Sequence, residues 1–436
     1  MPNNYKTLIA SLFLPSILPV GITIFYTFPA LMSYFKSGDP HALTVLMLSV
    51  ACTILYILFW ISKIDLLVFN FAYAFKKRSV ELSGLALWIC SFYILLITYT
   101  SYTAPSIPLI DAIRGMNIDT IAGGRETFLR SRIGFEVSLN YMYSMFRSFL
   151  MPFAVCILYH EHSKLRHIAL AIFLLSLILT LEKSLSILAL LPLFYLFFQK
   201  QDYKRAVVLV LLTFTSVGLT SYLARGGAEA PDKTSITYEP EKNPTEKNVE
   251  PKIIIAKSAA DSQSMATLPE KYNMFSGNSQ VEYILNRVLY IPYMTAHEWI
   301  RYKHEVMNDG YTLGRSISLV AILLGEKKIN LERDVFTFQW GQNNTATGSA
   351  NTAYFIDAYL NFGTAGCLLY TFTIVCILRL TTKSNIATLQ ACIFVPMIFL
   401  LFNSLTAMIF SGGLFLLILL ALFFSQKNRS IVTHTE

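Results

Sequence analysis

Charge is what this sequence has least of. Asp, Glu, Lys and Arg make up only 14% of its 436 residues, against about 25% in an ordinary soluble domain. Cysteine is sparse too: Cys52, Cys90, Cys156, Cys367, Cys376 and Cys392 all fall inside apolar runs, and none stands at metal-ligand spacing. They read as small core residues, and no disulfide framework is implied. The phosphate-cradling GxxxxGK[ST] loop, GxGxxG after a strand, HExxH, CxxC and the EF-hand loop are all missing. So is a paired Asp-x-Asp to hold a metal on a nucleotide-sugar donor. ATP-driven transport and nucleotide-sugar chemistry both lose ground, no cofactor is expected, and no internal repeat is visible.

Apolar residues fill the space that charge leaves. Hydrophobic residues make up 54% of the chain and aromatics 14%, and several runs reach the ~20 residues needed to cross a hydrocarbon core. Lys6 precedes a long apolar stretch broken by Pro15, Pro19 and Pro29. With no small-residue cleavage site after it, this stretch reads as an uncleaved first helix. Ten crossings are predicted: Leu8–Met32, Ala42–Ser62, Val80–Tyr102, Val137–Tyr159, Ile168–Leu181, Leu185–Phe198, Arg205–Ala224, Ala353–Arg379, Ile386–Phe402 and Thr406–Phe424. The net charge of +8 points to topology rather than to nucleic acid. Clusters such as Lys76–Arg78, Lys200–Arg205 and Arg379–Lys383 fall on one side of this threading, which places both ends of the chain in the cytoplasm.

Three regions result: a membrane domain over residues 1–224, a large outer loop over 225–352, and a second membrane domain over 353–436. The stretch Asp65–Arg78 is too short to span and reads as an interfacial helix. Within the loop, residues 228–278 are rich in Pro, Glu, Lys and Thr and are expected to be mobile. Residues 279–310 carry apolar and aromatic residues at helical spacing, broken near Pro292, and read as a helical lid.

Candidate chemistry gathers on the outer side. In "AGGRETFLRSR" (Ala122–Arg132) two glycines allow close backbone approach to a ligand, and Arg125, Arg130 and Arg132 follow at spacings that share a helical side. The alternative is a charged loop neutralised by Asp111, Asp119, Glu126 and Glu136. "LTLEKSLSILALL" (Leu179–Leu191) puts Glu182 and Lys183 between two runs of 14 residues, each only about 21 Å long as helix. A lysine at such depth needs a partner or a watery cavity. It reads as a cationic floor for an anionic ligand or as half of a hairpin-capping pair. Arg147 lies inside a crossing. Arg225 opens the large loop, and Arg287, Arg301 and Arg315 lie on the lid among Tyr283, Tyr290, Tyr293, Trp299 and Tyr302. There, sugar stacking and ordinary packing compete. Acid–base candidates are Glu126, Glu182, His297, Glu298 and Asp357. "YHEH" (Tyr159–His162) reads as a solvated inner turn rather than a ligand cluster.

Four stretches together resemble the bacterial O-antigen polymerases, the Wzy-type oligosaccharide repeat-unit polymerases. They are "GGRETFLR" (Gly123–Arg130), "LEKSLSILALLPL" (Leu181–Leu193), "NRVLYIPY" (Asn286–Tyr293) and "NTAYFIDAYLNFGTAG" (Asn351–Gly366). The resemblance implies an all-α polytopic integral membrane protein of about ten transmembrane helices with a large, partly helical periplasmic loop, a GT-C-like glycosyltransferase architecture. It implies a bacterial inner-membrane enzyme that is metal-independent. This enzyme moves a growing glycan from undecaprenyl diphosphate to the non-reducing end of an incoming undecaprenyl-diphosphate-linked repeat unit at the periplasmic face. A chain-length regulator and a flippase of the same pathway would be its partners, beside membrane lipid. On that resemblance Arg125, Lys183 and Arg287 grip diphosphate, Arg130 and Arg301 hold the second substrate, and Arg225 is a further diphosphate- or substrate-binding candidate. Glu298, Asp357 or Glu126 is the base. The rivals are an O-antigen ligase, a transporter or flippase of the same lipids, and a membrane scaffold.

Overall fold

A computed structural model describes residues 3–62, 78–116, 134–181, 183–224, 285–341, 348–382 and 386–426, with a few single positions between them. Apart from one three-residue strand pair, the regular structure among these is helical. The first half runs α1 (Asn3–Ile22), a π-helical turn (Thr23–Thr27), α2 (Phe28–Ser37), α3 (Pro40–Ile61), β1 (Arg78–Val80), α4 (Leu82–Thr103) and α5 (Pro108–Ile113). Then come α6 (Val137–Met145), a second π turn (Phe146–Leu150), α7 (Met151–His160), α8 (Arg166–Leu179), α9 (Lys183–Gln199) and α10 (Tyr203–Ala224).

After a third π turn (Asn286–Tyr290) the chain continues as α11 (Ile291–Glu305), α12 (Ser318–Leu324), α13 (Leu331–Trp340) and α14 (Tyr354–Thr382). It ends with α15 (Ala387–Cys392), α16 (Phe394–Phe399), α17 (Leu405–Phe410), α18 (Leu414–Phe423) and β2 (Phe424–Gln426).

Among the described residues six helical segments are long and apolar enough to cross a membrane: Phe13–Ser37, Pro40–Ile61, Leu82–Thr103, Ser138–His160, Tyr203–Thr220 and Tyr354–Thr382. Arg166–Leu179, Ala189–Gln199, Ala387–Phe399 and Leu414–Phe423 are apolar but shorter. This is the architecture of a polytopic membrane protein. Large apolar side chains stay exposed along these helices, among them Met47, Leu58, Trp88, Leu95 and Phe214, as expected where hydrocarbon is the solvent.

Each π turn precedes a proline for a chemical reason. Pro29, Pro152 and Pro292 have no N–H to give to the carbonyl four residues back. The helix widens just before them, so Phe28 N–H reaches Thr23 O, Met151 N–H reaches Phe146 O and Ile291 N–H reaches Asn286 O. Thus the break expected near Pro292 is a widened turn through which the helix continues.

The chain ends of the bundle differ. At one, Arg379 donates to the Trp60 carbonyl and stacks on the Trp60 ring. β1 pairs in parallel with β2 there, placing Arg78 beside Phe424. Both neighbours of the stretch 63–77 therefore emerge at this end; the stretch itself, where an interfacial helix was expected, lies outside the described residues. At the opposite end Asp39 caps α3, its Oδ1 accepting from His41 N–H at 2.8 Å, and Tyr354 N–H bonds Leu400 O at 3.1 Å. Packed here, α11 touches α3, α13 and α14. It buries Tyr293, Met294, Thr295, Ala296, His297, Glu298, Trp299, Ile300 and Lys303. The helix expected as a lid is therefore a structural member of the bundle end. None of the six cysteines forms a disulfide among the described residues; five are buried and Cys376 is half-buried.

Candidate functional site

The stretch "NTAYFIDAYLNFGTAG" opens α14, and its spelling dictates a broken helix. Gly363 sits at φ 66°, ψ −152°, a left-handed conformation that L side chains rarely adopt. Tyr311 presses on it at 3.2 Å from where a Cβ would be. A break at this depth strands backbone carbonyls that need partners. Residues 311–316 supply them: Thr312 N–H bonds Leu360 O at 3.1 Å and Leu313 N–H bonds Asn361 O at 3.0 Å. The Asn361 side chain completes the clamp. Its Oδ1 accepts from Thr312 Oγ1 and from Ser316 Oγ, each at 2.6 Å. Its Nδ2 donates to Asp357 O at 2.8 Å and to Asp357 Oδ1 at 3.1 Å.

This arrangement fixes one carboxylate oxygen of Asp357 and leaves the other open. Asp357 is buried, and its Oδ2 has no hydrogen-bond partner among the described residues. Asp357 lines a cavity of about 660 Å³. Across the space stand Glu332, Arg333 and Lys328 from the start of α13 and the chain before it. Hydroxyls from Ser349, Ser404, Thr406 and Ser411 also face it. Buried Trp299 forms part of the wall, held by its indole N–H on Ala350 O at 2.9 Å. Glu332 accepts from Ser349 Oγ at 3.0 Å, which ties the wall to α13. Lys328 and Arg333 are exposed, and neither makes a salt bridge with a described residue. A carboxylate with a free oxygen and two cations without a salt bridge to a described residue thus line one hollow of mixed polar and apolar character.

The opposite face of α11 is rich in ion pairs, although the buried Nδ1 of His297 has no hydrogen-bond partner among the described residues. His297, Arg301, His304 and Glu305 follow at helical spacing and share a side. His297 Nε2 lies 2.6 Å from Asp39 Oδ2, and the His41 ring stands 5.8 Å from the His297 ring and 5.6 Å from that of His304. Burial works to raise the Asp39 pKa. The hydrogen bonds from His297 and from His41 N–H outweigh it and hold the carboxyl below its ordinary value. Arg301 pairs with Glu305 at 2.7 Å and Glu298 at 3.3 Å and lies over the Phe338 ring. The hydrogen bond to Glu305 raises its pKa. Lys303 donates to Asp309 O at 2.7 Å and sits between the rings of Tyr311 and Tyr359.

Of the acid–base and anion-binding candidates named from the sequence, Asp357 alone among the described residues lines this cavity, with the aromatic Trp299 beside it. Glu298 is buried in a pair with Arg301, so both are engaged elsewhere. Arg287 is exposed in the third π turn and does not line the cavity. Arg125, Glu126, Arg130, Glu182 and Arg225, with the side chain of Lys183 and the segment 228–278 apart from Met274, lie outside the described residues. In the first loop, Arg132 is buried against Glu136 at 3.2 Å and Thr100 O at 2.9 Å, which is neutralisation. A Cβ on Gly124 would meet Ser106 and Asp111, so that glycine serves close packing inside the protein. Buried Tyr293 and Trp299 are packing residues, and Arg147 is buried with its guanidinium 4.9 Å from the Tyr143 ring. Tyr159, at the "YHEH" turn, bonds His167 Nδ1 at 3.1 Å, with Arg166 over its ring.

Lys328, Glu332 and Arg333 were missed by sequence reasoning. Their signal was present: "GEKKINLERD" (Gly325–Asp334) is dense in charge and directly precedes a helix in a chain that is poor in charge. No family model, curated protein or solved structure matches the chain significantly.

Proposed function

We propose that this chain is a repeat-unit polymerase of the O-antigen type, crossing a bacterial inner membrane about ten times with its cavity on the periplasmic side. It transfers a growing glycan from undecaprenyl diphosphate to the non-reducing hydroxyl of an incoming lipid-linked repeat. One observation carries the reading: the buried carboxylate of Asp357, with Oδ2 free, lines the same cavity as Lys328 and Arg333, neither of which makes a salt bridge with a described residue.

The chemistry that follows balances. Asp357 Oδ2 takes the proton of the acceptor hydroxyl, and the hydroxyl oxygen forms the new bond to the anomeric carbon. The bond from that carbon to the diphosphate oxygen breaks, and undecaprenyl diphosphate leaves with the electron pair. Lys328 and Arg333 supply positive charge where the leaving group gains negative charge. Asn361 orients the base, its Nδ2 donating to Asp357 Oδ1. Asp357 then returns its proton to water, and the energy comes from the sugar–diphosphate bond itself.

The test is incubation of purified protein with purified lipid-linked repeat, scored as a glycan ladder on a gel. The reading expects a ladder from the native protein and single repeats only from Asp357→Asn. A native ladder that persists in Asp357→Asn defeats the assignment of the base. Transfer to a lipid A core acceptor, with no ladder, would make the protein a ligase.

A further inference from the structure

The wall of the cavity changes character at one side. Tyr141 of α6, Ile322 of α12 and Phe410 of α17 all line it, yet they are 64%, 77% and 56% exposed. Leu323, beside Ile322, is 78% exposed. Three separate elements thus present bare apolar side chains at the same opening, whereas the interior carries Asp357, Ser404 and Thr406. Such a lip is costly toward water, at about 25 cal/mol per Å² of apolar surface, and costs nothing toward hydrocarbon.

The segment after α12 adds a second observation. Helix α12 ends at Gly325, in the left-handed conformation at φ 67°. The chain then turns from apolar to cationic, through Glu326 and Lys327 to Lys328 on the cavity wall. Apolar anchor, then cation, then polar hollow is the footprint of an amphiphile with an anionic head.

We infer that the lip formed by Tyr141, Ile322, Leu323 and Phe410 is a hydrocarbon-tail subsite. Through it an isoprenoid-chain diphosphate enters sideways from the bilayer and sets its head on Lys328 and Arg333. The identity of the head rests on the polymerase reading; the route through the lip does not need glycan transfer to be tested.

The experiment uses the full chain in liposomes with a sugar-free undecaprenyl diphosphate probe bearing a benzophenone on the isoprene units next to the diphosphate. After photolysis, labelled peptides are mapped by mass spectrometry. Labelling of 137–145, 318–324 and 405–410 that unlabelled undecaprenyl diphosphate suppresses supports the subsite. Labelling confined to other helices overturns it, and so does labelling suppressed equally well by phosphatidylglycerol. That last result would mean ordinary lipid fills the lip.

A kinetic arm reads selectivity. Ile322→Gln should lower the ratio of kcat/KM for a long-chain over a short-chain substrate about tenfold, the equivalent of 1.4 kcal/mol. An unchanged ratio in an active protein sinks the subsite and leaves the polymerase reading standing. Suppressible labelling of the lip in a protein without transfer does the reverse.

Discussion

The two faces of α11 and its neighbours make opposite use of similar residues. On one face, Asp39 is paired with His297, and Arg301 with Glu298 and Glu305. On the other, across Trp299, the charges of Asp357, Lys328 and Arg333 are kept apart, with an open carboxylate oxygen and no cation paired. Paired charges hold a fold together, whereas charges left unpaired at a cavity are available to something that arrives. Location along the chain does not separate the two sets, since Glu298 and Trp299 are neighbours on one helix and belong to different faces. Partnering does.

That partition can be broken or sharpened by substitution. The largest effect should come from Asp357→Asn, which keeps the shape and the Asn361 contact but removes the proton acceptor. Polymer formation should fall by roughly 10² to 10⁴-fold, with the unfolding temperature in detergent unchanged. Next, Lys328→Ala with Arg333→Ala should cost about 10²-fold in turnover, again without loss of stability. If either variant unfolds the protein, the cavity charges are structural and the contrast is wrong.

Gly363→Ala should do the converse. Its left-handed backbone and the Tyr311 ring at 3.2 Å leave no relaxed site for a methyl group, so a loss of about 1–3 kcal/mol in stability is expected, read as a lower unfolding temperature. Activity per folded molecule should then fall only as far as the clamp on Asp357 loosens. Smaller still is Arg301→Ala, for which a fall in unfolding temperature and less than about threefold change in turnover are expected, in line with partly exposed ion pairs. Arg301→Ala with native stability and no turnover would place that arginine in the chemistry after all.

The smallest effect concerns pH. The Asp39 pKa is depressed in the folded protein, so its contribution to stability is present above the unfolded value near 4. That contribution is lost as pH falls through the depressed one. Unfolding temperature followed from pH 6 downward should therefore drop in the native protein, and Asp39→Asn should remove part of that drop. Asp309, held low by the His304 hydrogen bond, contributes in the same direction.

The fold was largely legible because hydrophobic runs announce helices without help from tertiary contacts. Each of the ten predicted crossings overlaps a helix, and the shift of α14's start to Tyr354 is a single residue. Only six are long enough to be spans by length and composition. Asp357 was also legible, as a carboxylate opening a crossing. The remainder was not, because pairing is a three-dimensional property. Glu298 and Arg301 stood among aromatics like a sugar platform, yet they bond each other, and Trp299 faces inward. Nothing local in "SGDPH" shows that Asp39 meets a histidine 258 positions later. Lys328 and Arg333 were hidden by ordinariness: a few surface-like charges in a loop mean little until the cavity beside them is seen.

The parallel pairing of Arg78–Val80 with Phe424–Gln426 has a consequence for how the molecule is made. Ribosomal synthesis delivers the first strand early and its partner only after the last apolar helix has been threaded. The seam between the two strands is therefore a late stitch, closed only after Phe424–Gln426 has been made. Until then Arg78–Val80 waits as an open edge, and a nascent chain arrested before Phe424 would hold most of its crossings but lack the stitch that joins its beginning to its end.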